Sequence, residues 1–204
     1  IVKHGAETEY KNKAKYMLAQ CYYFGMGVEK DYKAAFNIFL ELKESESHST
    51  EAKIWLAMHY FHGMGVKEDT KKAFELYLEL SKSESDHQNS AKIKLAKCYL
   101  KGWAVAQNQK KAIELFSEVS KSKSDQQNSA NAKFELAHCY EFGEGITKDI
   151  NKAFQLYLDI SKSESFYQIQ AFRWLAHHYL KNGEEEDSHK YFKLYLQKAE
   201  IHKR

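Results

Sequence analysis

The chain has 204 residues, 43% hydrophobic and 29% charged, which suits one globular domain or one short array with enough apolar mass for a core. Proline is absent and glycine numbers only 9, which argues for helices and against a many-turned β fold, and no run reaches the roughly 18 apolar residues that span a bilayer. The net charge is +3, 31 basic residues against 28 acidic, and the only arginines are Arg173 and Arg204; without arginine's bidentate fork, sequence-specific nucleic-acid binding starts from a weak position.

Taken in chain order, Ala14, Leu18 and Tyr22 fall at i, i+4 and i+8, one stripe of a helix. Gly25 stands three residues past the tyrosine, where a helix ends in the left-handed C′ conformation that costs glycine nothing. Asp31 is placed to cap a second helix, which would turn Ala35, Phe36, Phe39 and Leu42 inward. The polar link "KESESHS" ends that helix. The stretch between the helices, "CYYFGMGVEKDYKAAF", looks at first like a phosphate-cradling loop, but it lacks the Gly-Lys-Ser/Thr that would follow a buried strand. Its glycines close one helix, its aspartate opens the next, and Val28 is placed to plug the turn.

The same pattern returns. "HYFHGMGVKEDTKKAF" (59–74), "CYLKGWAVAQNQKKAI" (98–113), "CYEFGEGITKDINKAF" (139–154) and the fainter "HYLKNGEEEDSHKYF" (178–192) each follow an A-x-x-x-L-A segment whose leucine is Leu56, Leu95, Leu136 or Leu175. Ala73, Phe74, Tyr77 and Leu80 repeat the inward set of the first copy, Tyr60 is expected to be buried between its two helices, and Asp69, Asn108, Asp149 and Asp187 repeat the cap. Serine-rich links, "SKSESDHQN", "SKSKSDQQN" and "SKSESFYQ", close the middle copies. Copies at a near-fixed period of about 40 residues indicate an all-α solenoid, an α/α superhelix of about five antiparallel helix pairs. The predicted repeats run over 11–47, 48–86, 87–127, 128–166 and 167–200, within one array over residues 1–204.

The pattern A-x-x-x-L-A/G-x-x-Y-x-x-G-x-G-V-x-x-D-x-x-K-A closely resembles the Sel-one-like repeat (SLR), a relative of the tetratricopeptide repeat. The resemblance covers about residues 11–200. It departs at Ala104, which replaces the second glycine, and in the last unit, where Asn182-Gly183 replaces the first glycine in a turn expected to be one residue shorter. The links are polar and serine-rich where the family has a small glycine-containing one. The resemblance implies a right-handed superhelix serving as an adaptor, without family-wide catalytic residues.

In the related tetratricopeptide fold, the helix A positions two before, two after, five after and six after the core leucine line a concave groove. Carried onto this chain, the groove is Tyr16, Gln20, Tyr23 and Phe24 in the first unit and Ile54, Met58, Phe61 and His62 in the second. The third gives Ile93, Lys97, Leu100 and Lys101; the fourth gives Phe134, His138, Glu141 and Phe142; the fifth gives Arg173, His177, Leu180 and Lys181. Apolar side chains at one end and basic ones further along suit an amphipathic, partly acidic helix or peptide. The competing expectation for Tyr16 and Tyr23 is packing against the neighbouring helix A.

Other chemistries find little support. Cys21, His59, Cys98, Cys139 and His178 share one repeat position, and stacking sets them about 10 Å apart, too far for one metal. No nucleophile or zinc-protease motif is present, so neither catalysis nor a cofactor is expected. The acidic run "GEEEDSHK" reads as the turn and start of the last helix, where carboxylates complement the dipole. Three cysteines without ribbon spacing favour a reducing, cytoplasm-like compartment, although the chain opens on Ile1 and leaves room for a targeting segment ahead of it. The sequence reading is therefore a non-enzymatic protein-interaction scaffold that does not insert into a membrane. A regulatory or secreted effector module capturing a host or pathway protein is the first alternative. A nucleic-acid-binding helical repeat, recognisable by strong salt dependence, is the second. Serine-rich links would become acidic loops if phosphorylated, with solvated links the simpler expectation.

Overall fold

The computed structural model describes residues 2–45 and 47–201. Among these residues there are ten helices and no strand: α1 (Val2–Phe24), α2 (Tyr32–Leu42), α3 (Ser49–His62), α4 (Thr70–Leu80), α5 (Gln88–Lys101), α6 (Gln109–Ser120), α7 (Gln126–Phe142), α8 (Ile150–Ser161), α9 (Gln168–Lys181) and α10 (Glu185–Ile201). The chain forms two compact units that divide within α5, with Ile1–Cys98 and Gly102–Ala106 in the first, and Tyr99–Lys101 and Gln107–Arg204 in the second.

The turns of the first four helix pairs are built the way the sequence predicts. Gly25, Gly63, Gly102 and Gly143 adopt left-handed backbone at φ of 65–76°. Their amides donate to the carbonyls of Cys21, His59, Cys98 and Cys139. Four residues after each of these carbonyls would lie another helical donor; the glycine supplies it and stops the helix. The second helix is then capped from outside. Asp31 accepts from the amides of Lys33 and Ala34, and Asp69, Asn108 and Asp149 accept from those of Lys72, Lys111 and Lys152 at 3.0 Å each. The amide of each cap residue donates back to a helix A tyrosine carbonyl, of Tyr22, Tyr60, Tyr99 and Tyr140, at 2.8–2.9 Å.

The last pair keeps this bond and changes its spacing. Glu184, not Asp187, donates to the Tyr179 carbonyl at 2.9 Å, and the Ser188 amide returns to the Glu184 carbonyl as Ala153 does to Asp149. From Tyr140 to Asp149 is nine residues and from Tyr179 to Glu184 is five, so the turn is four residues shorter rather than one. Asp187 belongs to the first turn of α10 beside Glu185 and Glu186, where the three carboxylates face the positive end of the helix.

Within each pair the helices are antiparallel. Helix A's C-terminal tyrosine meets helix B's cap, while further back Lys15 pairs with Glu41, Lys53 with Glu79 and Lys133 with Asp159 at 2.6–3.3 Å. Alanines fully removed from solvent (Ala35, Ala73, Ala112, Ala153) let the two backbones approach. In the first unit Phe39, Leu42 and Leu56 form the centre of the core; in the second it is Tyr157, Ile160 and Leu175. Leu18 departs from the predicted pattern: it is 43% exposed, whereas Leu56, Leu95, Leu136 and Leu175 are buried. Tyr60 is also only half-buried. Its ring lies edge-on to Phe36 at 5.4 Å and under the Lys72 ammonium at 5.2 Å, so it forms one wall of the pair rather than its centre.

The serine-rich links are structured. Ser45, Ser83 and Ser163 donate to the carbonyls of Leu42, Leu80 and Ile160 at 2.7–2.8 Å. Ser83 and Ser163 also share a bond with Ser85 and Ser165 at 2.9 Å. A helix leaves its last carbonyls without partners, and short hydroxyl side chains satisfy them. Ser81, Ser161 and Ser165 are buried.

Candidate functional site

The predicted groove positions separate into three groups. In the first unit, Tyr16 and Tyr23 are used for packing. The Tyr16 hydroxyl accepts from the Trp55 indole N–H at 3.0 Å and its ring meets Phe39 edge-on at 6.0 Å. Tyr23 lies edge-on to Trp55 at 4.8 Å, Tyr32 at 5.2 Å and His59 at 5.6 Å. Both therefore follow the competing expectation of contact with the neighbouring helix A. Gln20 donates to the Tyr16 hydroxyl, and Phe24 stays 52% exposed over the edge of Trp55. Ile54, Met58 and Phe61 are half-buried and His62 is exposed, with Phe61 edge-on to Trp103 at 5.2 Å.

On α5 the expectation fails for the aliphatic residues. Ile93 is 1% exposed and Leu100 is 4% exposed, so no partner can reach them. An aliphatic side chain at this position is drawn into the core, whereas a lysine keeps its head in water. Lys97 is half-buried and Lys101 is exposed, bonded to Glu144 at 3.0 Å.

The second unit brings the predicted residues together. Along α7, the rings of Phe134, His138 and Phe142 follow one another at 5.5 and 5.1 Å, one turn apart, and Phe142 is 60% exposed. Facing them on α9 are Arg173 and His177. Between the two helices is an open cavity of about 340 Å³ lined by Phe134, His138, Tyr157, Gln170, Arg173, Trp174 and His177. Its floor is aromatic: Tyr157 and Trp174 stack at 4.3 Å, and Phe134 meets Tyr157 edge-on at 5.9 Å. Its rim carries two imidazoles and a guanidinium, and among the described residues Arg173 pairs with no carboxylate. A second hollow continues from Trp174 and His177 to His178, Lys181 and Asn182, with Glu141 at its edge. Leu180 is 59% exposed on the same helix.

Trp174 and Tyr157 were not among the predicted site residues. The available signal was positional: Trp55 and Trp174 each stand immediately before the core leucine of their helix, and each stacks on the aromatic of the preceding helix B, Trp55 on Phe39 at 5.3 Å and Trp174 on Tyr157.

The remaining titratable groups are structural. His59 is fully buried, its Nδ1 at 2.5 Å from the Met64 carbonyl, so Nδ1 carries the proton and burial holds the ring's pKa below the ordinary histidine value. His178 is lowered by the same cause, stacked on Trp174 at 4.9 Å. Burial pushes the Cys98 thiol up to about 11 and the Cys139 thiol up to about 12, which leaves both unreactive. Among the described residues no group of three or more His, Cys, Asp or Glu could hold a metal ion, and no helix is long and apolar enough to cross a membrane.

Helix pairs recurring with the same glycine stop, the same carbonyl-bonded cap and the same alanine crossing define an all-α repeat protein. The family model for the Sel1 repeat matches residues 12–41, 50–83, 89–118 and 130–158, more than half of the chain. The chain belongs to the Sel1 repeat family, a family of non-catalytic helical scaffolds that typically mediate protein interactions. No curated protein matches it. Among solved structures it is similar to a Sel1 repeat protein from Oxalobacter formigenes, at 21% identity and a TM-score of 0.73, over 92% of this chain and 73% of that one. It is also similar to c5321, a protective antigen present in uropathogenic Escherichia coli strains displaying an SLR fold, at 19% identity and a TM-score of 0.53. That match covers 96% of this chain and 48% of the antigen. At these identities the likeness establishes the fold.

Proposed function

We propose that the chain is a protein-interaction scaffold whose α7–α9 groove binds a peptide segment carrying an aromatic or aliphatic anchor flanked by acidic residues. The observation that carries this reading is the cavity with Tyr157, Trp174 and Phe134 as floor and His138, Arg173 and His177 as rim. An aromatic floor rewards burial of an apolar side chain, and a guanidinium without an internal carboxylate partner is available for a bidentate bond to one from outside.

The test is selection from a displayed random-peptide library with the 204-residue chain as bait. The expected result is enrichment of peptides with Asp or Glu beside Trp, Phe or Leu, and loss of that enrichment in Arg173→Glu with the helical signal unchanged. Arg173 is exposed, so the substitution leaves the core alone. Enrichment of basic peptides, or of acidic ones that Arg173→Glu still binds, would overturn the reading.

A further inference from the structure

The α7–α9 groove carries opposite charges at its two ends. Both helices are the first of their pairs and run the same way, and Leu136 and Leu175 hold one repeat position, so Phe134 lies level with Arg173 and Glu141 with Leu180. At 1.5 Å per residue, Glu141 stands about 10 Å further along the groove than Arg173. The cavity at Arg173 has no carboxylate in its lining. The second hollow, of about 220 Å³, shares Trp174 and His177 with that cavity and ends at Glu141, with Ile150 beside it.

Glu141 is half-buried. The Tyr157 hydroxyl donates to it at 3.5 Å, the outer limit of a hydrogen bond. Among the described residues no cation pairs with it. His178 lines the same hollow, and burial holds its imidazole toward the neutral form. Lys181 lines it too, but is exposed. A hydrated ammonium on a flexible stem gains little from a partner, whereas a carboxylate withdrawn from water without a cation gains more. The end of the groove at Glu141 is therefore complementary to a positive charge and the end at Arg173 to a negative one.

We propose that the occupant of this groove is an extended peptide with an acidic residue at Arg173, an apolar anchor on the Tyr157–Trp174 floor and a basic residue at Glu141, the two charges three residues apart. The inference rests on the reading of the groove as a peptide site and narrows it, confining the acidic flank to the Arg173 end. An extended chain covers about 10 Å in three residues. Its successive side chains fit adjoining hollows of about 340 and 220 Å³, which a helix about 10 Å wide does not enter. Opposite charges at the two ends also fix the order of the peptide along the groove, because the reversed placement sets like charges together at both ends.

The test is titration of the full chain with labelled synthetic peptides, followed by fluorescence anisotropy. The cores are Asp-Leu-Ala-Lys and Lys-Ala-Leu-Asp, which cover both directions of entry, each compared with versions carrying Gln or Asp in place of Lys. In at least one direction the Lys peptide is expected to bind about tenfold more tightly than its Gln version, and the Asp version more weakly still. Glu141→Gln, which keeps an acceptor for the Tyr157 hydroxyl, is expected to erase the difference between Lys and Gln peptides. Glu141→Lys is expected to turn the preference toward Asp, and Lys181→Gln to widen the preference for Lys. No preference for Lys in either direction, or one that survives in Glu141→Gln, would overturn the inference. So would a preference for the Asp peptide that Lys181→Gln removes, which would put a second carboxylate in the hollow. The wider reading is judged separately: Gln peptides that lose affinity in Arg173→Glu uphold it whatever the preference at Glu141, and Gln peptides that do not, or peptides none of which bind, overturn it together with the inference.

Discussion

Gly27, Gly65 and Ala104 hold one repeat position and one backbone conformation, with φ between 63 and 72°, in three different environments. Ala104 is the residue without glycine's freedom, and the left-handed conformation costs an L-residue about 1–2 kcal/mol. Ala104→Gly is expected to recover part of that, about 0.5 kcal/mol net of glycine's unfolded-state entropy, read as a slightly higher Tm. Gly65→Ala adds to the same strain a collision with the α2 backbone, so a loss of about 3 kcal/mol is expected against about 1 kcal/mol for Gly27→Ala; equal losses in denaturant melts would contradict the contact. His59 supplies a pH term. Its neutral ring is enclosed by Tyr23, Phe36 and Phe39, with Nε2 unpartnered, and burial lowers its pKa. The unfolded chain then takes up this proton first, so stability falls as pH drops through about 6.5 and levels off below the folded value. His59→Phe is expected to flatten that part of the stability profile while lowering stability at neutral pH, since the Met64 carbonyl loses its donor; a profile unchanged below pH 6.5 or so would refute the assignment.

At the scale of the helix pair, the sequence was legible wherever one residue type performs one local task. Glycine stops and Asp or Asn caps are such tasks, and four of the five caps stand at the predicted residues. Asn108→Ala removes the acceptor for the Lys111 amide and is expected to cost about 1 kcal/mol, with the α6 amides losing hydrogen-exchange protection first. The fifth cap was misread because Asp187 matched the acidic pattern by alignment, while the chain fixed its turn by the Tyr179 carbonyl, whose partner could be any residue's amide. The pattern could not show which neighbour covers a face: Leu18 and Leu56 are indistinguishable in a period of 3.6, and only packing exposes one and buries the other. The same limit misplaced Ile93 and Leu100 on the surface. The recurring Lys–Glu pairs, 26 residues apart, and the serine bonds to the ends of helix B were also invisible, since both depend on the antiparallel return of the chain.

At the scale of the whole molecule, a net charge of +3 over 204 residues is too small to steer a ligand from a distance. Recognition of acidic segments therefore has to come from local charge, within a screening length of about 8 Å at physiological salt. Arg173 stands on the rim of an aromatic cavity with two imidazoles near it, so its contribution divides into charge and geometry. Arg173→Lys keeps the charge and discards the planar fork, whereas Arg173→Glu reverses the charge. For an acidic peptide bound at this groove, affinity is expected to fall about tenfold in the lysine variant and to be lost in the glutamate variant. Adding salt is expected to weaken binding to the wild type and the lysine variant alike, because both retain the same charge. Titrations followed by Trp174 fluorescence would check this. If the lysine and glutamate variants lose equal affinity, or the wild type is indifferent to salt, carboxylate recognition does not lie at Arg173 and the groove binds through its aromatic floor alone.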